Sequence, residues 1–214
     1  MKNIEEYVQL TGVAWNNILF ATQEELGREP VIALRGKRII KNKKIIYRMI
    51  NACPLMNTDR KPTQVLYTNE AATKRIIDSD KTLLRLDSGY RIIGHYHPHP
   101  ENNRTKVDCE PGDIDQEDTA DWMKKLWLRY YFIDIIGKII KLNYDSYHKK
   151  CLEIEPNKKG LKVLFNFRLK EGFELYLRAF KTKIDKEKKP YIEKELQLDL
   201  IKAIIESREI LTKR

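Results

Sequence analysis

The chain has 214 residues, of which 42% are hydrophobic and 34% charged, and its formal net charge is +10. This composition is typical of a soluble globular protein, and no apolar run approaches the ~20 residues that a membrane-spanning helix needs. The 3 cysteines are far apart, and the first residues include acids where a signal peptide would be apolar. We therefore expect a single domain over residues 1–214, a cytoplasmic location and no membrane association.

The positive charge is concentrated in short lysine-rich segments. Residues 35–44, 157–160 and 185–190 have the composition of hairpin tips and loop ends. No basic helix and no aromatic-basic surface of the kind that binds single-stranded nucleic acid is evident. We therefore do not expect nucleic acid as a partner. Nucleic-acid binding stays the less favoured alternative, because the net charge is strongly positive.

The first half of the chain predicts a helix, a hairpin and a second helix. Residues 15–28 place apolar side chains at helical spacing. Residues 30–54 contain two β-branched segments joined by a lysine-rich turn, which is typical of a hairpin. Residues 69–89 predict the second helix, with a glycine as its stop. Residues 90–100 then predict a strand that ends at prolines.

The second half continues the alternation of helices and strands. Residues 113–127 have an acid-rich first turn and an apolar continuation, as a helix start should. Residues 128–144 predict a strand, and residues 162–183 predict a long hairpin. Residues 196–214 predict an amphipathic helix. These elements indicate an α/β (α+β) fold with a single mixed β-sheet flanked by helices.

The predicted strand "IIGHYHPHP" contains three of the four histidines, at His95, His97 and His99. Side chains at i and i+2 of a strand point to the same face roughly 6.6–7 Å apart, so two imidazoles can bind one metal ion. Three cannot do so easily, because the first and third lie about 13 Å apart. We therefore expect one neighbouring pair together with an acid from the following segment, either Asp108 or Asp113.

The same strand resembles the signature of the JAMM (MPN-plus) metallopeptidases, which read apolar-apolar-Gly-x-Tyr-His-[Ser/Thr]-His-Pro. Its glycine, tyrosine and last proline correspond to Gly94, Tyr96 and Pro100. In this frame the resemblance implies that His97 and His99 bind zinc. The family continues with Pro-Ser-x-x-Asp, and "CEPGDID" is similar, which implies Asp113 as the third ligand.

A second alignment of the motif remains open. It uses His95 and His97 with Asp108 at the common loop spacing, but it misplaces the glycine and tyrosine of the pattern. The first alignment, which is favoured, has Glu110 where the family has a serine that supports the oxyanion. A carboxylate is a poor partner for a developing negative charge, so this position departs from the family.

The family also uses a glutamate in the pattern Glu-x-x-Gly-aliphatic-aliphatic-x-Gly. In "REPVIALRGK", Glu29 stands seven residues before Gly36, and the resemblance implies that it is the general base. The resemblance covers residues 15–198, with residues 138–172 as an insertion that adds a β-hairpin and residues 199–214 as an added C-terminal helix.

The resemblance implies a JAMM/MPN (cytidine-deaminase-like) fold and a zinc metallopeptidase. The implied reaction is hydrolysis of peptide or isopeptide bonds at the C-terminus of ubiquitin or a ubiquitin-like protein. One Zn²⁺ per chain would activate a water molecule, and Glu29 would accept its proton. A non-catalytic MPN scaffold is the alternative, and a homodimer or a partner subunit is left open.

Overall fold

A computed structural model describes residues 4–24, 31–55, 60–61, 64–65, 70–86, 90–100, 109–128, 130–142, 152–157, 160–166 and 172–200. In chain order the described residues form β1 (Glu5–Leu10), α1 (Gly12–Glu24), β2 (Val31–Lys41), β3 (Lys44–Leu55), β4 (Arg60–Lys61), β5 (Gln64–Val65), α2 (Glu70–Leu86), β6 (Arg91–Pro100), α3 (Asp113–Lys125), β7 (Phe132–Leu142), β8 (Leu152–Asn157), β9 (Gly160–Asn166), β10 (Gly172–Ile184) and β11 (Pro190–Asp199). Within this part of the chain, no helix is both long and apolar enough to cross a bilayer.

Most of the predicted elements are confirmed, with small shifts at their ends. The helix predicted over 15–28 is α1, which begins earlier, at Gly12. The lysine-rich hairpin is the pair β2 and β3, and the helices predicted over 69–89 and 113–127 are α2 and α3. The predicted C-terminal helix lies mostly outside the described residues, and its first positions belong instead to β11.

The prediction of an open sheet flanked by helices is wrong, because seven strands close into a mixed barrel. Their order is β1, β3, β2, β6, β7, β10 and β11, and pairing of β10 with β11 completes the ring. β1 is parallel to both β3 and β11, and β6 is parallel to β7. The other four pairings of the ring are antiparallel. The fold is therefore mostly β, with three helices among the described residues.

One of the strands that the sequence did not predict, β1, closes the barrel. β1 lies between β3 and β11, and without it these two strands would be the edges of an open sheet. Closure satisfies the backbone donors and acceptors that an edge strand would expose. Strand β9 pairs with the first part of β10, and β8 pairs with β9. Both strands lie in the segment predicted as an insertion. Residues 138–142 of that segment belong instead to β7 of the barrel.

Two apolar clusters lie on opposite faces of the barrel wall. The first is formed by inward side chains of the seven strands and by α1, whose Trp15 and Ile18 are fully buried. The second lies on the other face of β2, β6 and β7, where α2 and α3 pack; its members include Ile77, Ile92, Trp122, Met123 and Phe132. The segment β6 is thus covered by the core on one side and by helices on the other.

Two glycines permit close approach between neighbouring strands. A Cβ atom on Gly94 would lie 2.2 Å from the carbonyl oxygen of Ile133 on β7. A Cβ atom on Gly36 would lie 2.1 Å from the carbonyl oxygen of Arg48 on β3. Both positions are next to irregularities in the pairing of β2. Only glycine fits there without moving backbone atoms.

Candidate metal centre

Three side chains from two elements meet at the end of β6. The Nε2 atoms of His97 and His99 lie 3.1 Å apart. The carboxylate of Asp115 completes the group, with Oδ1 lying 3.2 Å from Nε2 of His97 and Oδ2 lying 3.6 Å from Nε2 of His99. His97 is buried, while His99 and Asp115 are partly exposed, so the group opens to solvent on one side.

These separations match those between the ligands of one metal ion. A tetrahedral zinc ion with bonds of about 2.0–2.2 Å holds its ligand atoms roughly 3.3–3.5 Å apart. Hydrogen bonds among the three side chains explain these short distances less well than a shared metal ion does, because Nε2 of a neutral imidazole carries at most one hydrogen. Nε2 of His97 faces both His99 and Asp115, and it cannot donate that one hydrogen to both.

The two elements that carry these side chains fix their directions. On β6, residues 95, 97 and 99 alternate with Tyr96, which points into the first apolar cluster. The histidines therefore face the helices, as the two-residue period of a strand requires. Asp115 lies in the first turn of α3, where Oδ2 accepts a hydrogen bond of 2.7 Å from the backbone N–H of Gly112. This cap holds the carboxylate at the helix N-terminus.

The third member of the group is Asp115, whereas the sequence reasoning named Asp113. Asp113 is exposed and is not part of the group that the structure brings together. The signal that could have identified Asp115 is its place three residues after Gly112, because an acid at that position caps the helix. Glu29, the predicted base, and Asp108, the alternative ligand, lie outside the described residues.

His95 lies behind the metal-ligand group and does not belong to it. Its ring is 2% exposed and packs edge-on against His97, with ring centroids 5.2 Å apart. Nε2 of His95 lies 3.2 Å from Oδ1 of Asp134, but the direction is not that of a hydrogen bond, and neither ring nitrogen has a hydrogen-bond partner among the described residues. Burial lowers the pKa of His95 to about 3, so this imidazole is neutral.

The acids of α3 differ in how readily they ionise. Burial alone would raise the pKa of Asp115, but hydrogen bonds from His97 and His99 outweigh burial and hold the pKa well below its ordinary value. Burial raises the pKa of Asp118 to about 6, and the nearby Asp115 carboxylate adds to the effect. Asp118 follows Asp115 by three residues and therefore lies on the same face of the helix.

The segment before α3 is attached to β10. Glu110 accepts a hydrogen bond of 2.8 Å from Nη1 of Arg178, and Arg178 also contacts Glu195. Sγ of Cys109 lies 3.5 Å from the carbonyl oxygen of Tyr176. Glu110 is thus engaged by a cation and is held on the β10 side of the segment.

No protein-family model and no curated protein matches this sequence. One similar solved structure is the solution structure of protein DSY2949 from Desulfitobacterium hafniense. The two share 15% sequence identity, the match covers 90% of this chain and 92% of that chain, and the TM-score is 0.45. At this TM-score the likeness establishes neither a fold nor a function.

The predicted membership of the JAMM family is wrong. The family resemblance implied one open sheet flanked by helices, whereas this chain closes seven strands into a mixed barrel, and no family model matches it. The physical reason is that the resemblance, although it was drawn over residues 15–198, rested on short motifs, of which the most specific covers one strand. Such a motif sets the spacing of side chains along that strand, while strand order and closure depend on pairings with distant segments.

Proposed function

We propose that the chain binds one zinc ion through His97, His99 and Asp115 and uses it to hydrolyse amide bonds. The triangle of facing ligand atoms, with sides of 3.1, 3.2 and 3.6 Å, is the observation that carries this proposal. Two imidazoles and one carboxylate are a ligand set that suits zinc.

A catalytic site fits this ligand set better than a structural one. Structural zinc sites are closed by four protein ligands, whereas catalytic sites use three and leave a position for water. Among the described residues, the group contains three ligand side chains, and two of them are partly exposed. Bound zinc would lower the pKa of its water and polarise the carbonyl of an amide substrate.

The reaction also needs a residue that takes the proton from this water. Glu29 was assigned this role through the family resemblance, and it remains a sequence-based proposal because it lies outside the described residues. Asp118 is a second candidate within the described chain, since it is half-buried and lies on the helix face of Asp115. Both carboxylates can accept a proton, and a substitution at each can distinguish them.

The proposed chemistry defines the bond that is cleaved and not the protein that carries it. Ubiquitin or a ubiquitin-like conjugate was implied only by the family resemblance, which the fold contradicts. The proposal is therefore limited to hydrolysis of peptide or isopeptide bonds, and a ubiquitin-like fusion becomes one substrate among several to test.

Hydrolysis with and without metal tests this proposal. The purified chain is incubated with a set of fluorogenic peptides and a ubiquitin-like fusion, before and after removal of metal with a chelator, and again after Zn²⁺ is added back. We expect cleavage of at least one substrate that is lost with the chelator and restored by zinc. Zinc binding without cleavage of any substrate would favour the alternative, a non-catalytic interaction protein with a metal site.

A further inference from the structure

A buried carboxylate lies directly beneath the proposed metal centre. Asp134 on β7 is 2% exposed. Its Oδ1 accepts a hydrogen bond of 2.9 Å from Oγ1 of Thr119, and its Oδ2 accepts a short hydrogen bond from the hydroxyl of Thr182. Both threonines are fully buried. Burial raises the pKa of Asp134 to about 6, against the effect of these two hydrogen bonds.

The contacts of Asp134 join the two elements that carry the proposed zinc ligands. Thr119 belongs to α3 and follows Asp115 by four residues, so it lies one turn below this ligand on the same helix face. On the other side, Asp134 is paired in register with His95 of β6, whose Nε2 lies 3.2 Å away. His95 in turn packs against the ring of His97.

We infer that Asp134 is a positioning residue that fixes the distance between α3 and β6, and through it the separation of Asp115 from His97. This inference rests on the proposed zinc site. In the part of the chain that the structure describes, this buried carboxylate contacts two hydroxyls and a neutral imidazole but no cation, which is costly. An apolar residue at this position would pack beside Phe132 and Ile136 at lower cost. The carboxylate can orient α3 through its hydrogen bond with Thr119, because hydrogen bonds are directional and apolar contacts are not.

Asp134 hydrogen-bonds to Thr119 and Thr182 and lies close to His95, and it contacts none of the proposed zinc-binding atoms. Groups in this place orient metal ligands in other proteins, and their loss costs about 10–100-fold in metal affinity or activity. A shift of α3 by a fraction of an ångström would separate Asp115 from the histidines while leaving the barrel intact. Loss of this hydrogen bond should therefore lower zinc affinity as well as stability, whereas loss of a buried hydrogen bond away from α3 should lower stability alone.

The test compares two buried threonines whose hydroxyls form hydrogen bonds on opposite faces of the sheet that contains β6 and β7. Thr119→Val removes the hydroxyl that binds Asp134. Thr22→Val is the matched control, because Thr22 is also fully buried and its hydroxyl lies 2.7 Å from the hydroxyl of Tyr96, away from the ligands. For each variant, zinc affinity is measured by competition with a chromophoric chelator, and metal-free stability by urea unfolding.

We expect Thr119→Val to weaken zinc binding by about 10–100-fold and Thr119→Ser to restore it, while Thr22→Val destabilises the fold with zinc affinity unchanged. The visible absorption of bound Co²⁺, which reports tetrahedral geometry, should change only in Thr119→Val. Asp134→Ala removes both acceptor oxygens and provides a second variant with the same expected loss of affinity. Equal zinc affinities in wild type, Thr119→Val and Asp134→Ala would overturn the positioning role. Absence of zinc binding in the wild type would instead refute the proposed function on which it rests.

Discussion

Oδ1 of Asp115 lies 3.2 Å from Nε2 of His97, which joins the first turn of α3 to the end of a buried strand. The strand is held by pairing on both sides, with β2 and with β7. The helix is held by its apolar side chains and by Thr119. A rigid scaffold therefore presents the group, as a site with defined ligand geometry requires.

The short distance between the backbones of β6 and β7 should require glycine at position 94. Replacing Gly94 by Ala would bring Cβ to 2.2 Å from the carbonyl oxygen of Ile133, so the strands must separate. We expect Gly94→Ala to destabilise the protein by at least ~2 kcal/mol, measured by urea unfolding.

Gly112→Ala is the control for this substitution. Among the described residues, a Cβ atom on Gly112 meets only Oδ2 of Asp115, at an ordinary contact distance of 3.5 Å, and the φ angle of −74° suits alanine. The cost to stability should be about 1 kcal/mol or less, because Gly112 is the N-cap of α3 and alanine caps a helix less well than glycine. Equal stability of Gly94→Ala and Gly112→Ala would contradict the close approach of the two strands.

The general base can be identified by removing each candidate carboxylate. If Glu29 is the base, Glu29→Gln should reduce hydrolysis by about 10²–10⁴-fold with zinc still bound, because glutamine keeps the shape but accepts no proton. Asp118→Asn would then keep most of the activity.

The opposite pattern would assign the role to Asp118. Loss of zinc from Glu29→Gln would make Glu29 a metal ligand instead of a base. Both variants are compared by initial rates on the substrate that the wild type cleaves, with metal content measured on the same samples.

A polar cluster at the other end of the barrel should control stability in acid. Glu6 is hydrogen-bonded to Lys194, Tyr47 and Lys181. Burial would raise the pKa of Glu6, but these hydrogen bonds outweigh burial and lower the pKa from 4.5 to about 2. A lowered carboxyl pKa means that the folded state prefers the ionised form. The resulting stabilisation is complete above pH 4.5 and is lost as the pH falls towards 2.

Glu6→Gln should therefore be less stable than the wild type at pH 6, and the difference should shrink between pH 4.5 and 2. Glu5→Gln is the control, because Glu5 is half-exposed and its ion pair with Lys44 lies in solvent, where such pairs contribute little. Urea unfolding at a series of pH values measures both variants. A difference between Glu6→Gln and wild type that is independent of pH would contradict the assigned ionisation of Glu6.

Local structure was largely predictable from the sequence, because periodicity and turn residues reflect local geometry. The hairpin β2–β3 and the helices α2 and α3 were predicted this way. The barrel was not predictable, because its closure depends on β1, a strand of six residues whose partners β3 and β11 are distant in sequence. Its buried apolar residues, Val8 and Leu10, alternate too briefly to give a clear signal.

The grouping of side chains was partly predictable for the same reason. His97 and His99 were predicted to lie side by side, because two residues on one strand face are fixed by local geometry; their binding of zinc stays a prediction. The third member of the group depends on how α3 packs against β6, which no local pattern determines, and counting along the loop selected Asp113 in place of Asp115. Asp134 could not have been found from the sequence, since it reads as one polar position in a β-branched strand.

Zinc content of the purified wild type and of three variants tests the central claim most directly. Plasma emission spectrometry after dialysis gives the metal stoichiometry of wild type, of Asp115→Ala, of Asp113→Ala and of the double variant His97→Ala/His99→Ala. The proposed centre predicts about one zinc per chain in wild type and in Asp113→Ala, and loss of zinc in the other two. Full zinc retention in the double histidine variant, or loss in Asp113→Ala with retention in Asp115→Ala, would contradict it.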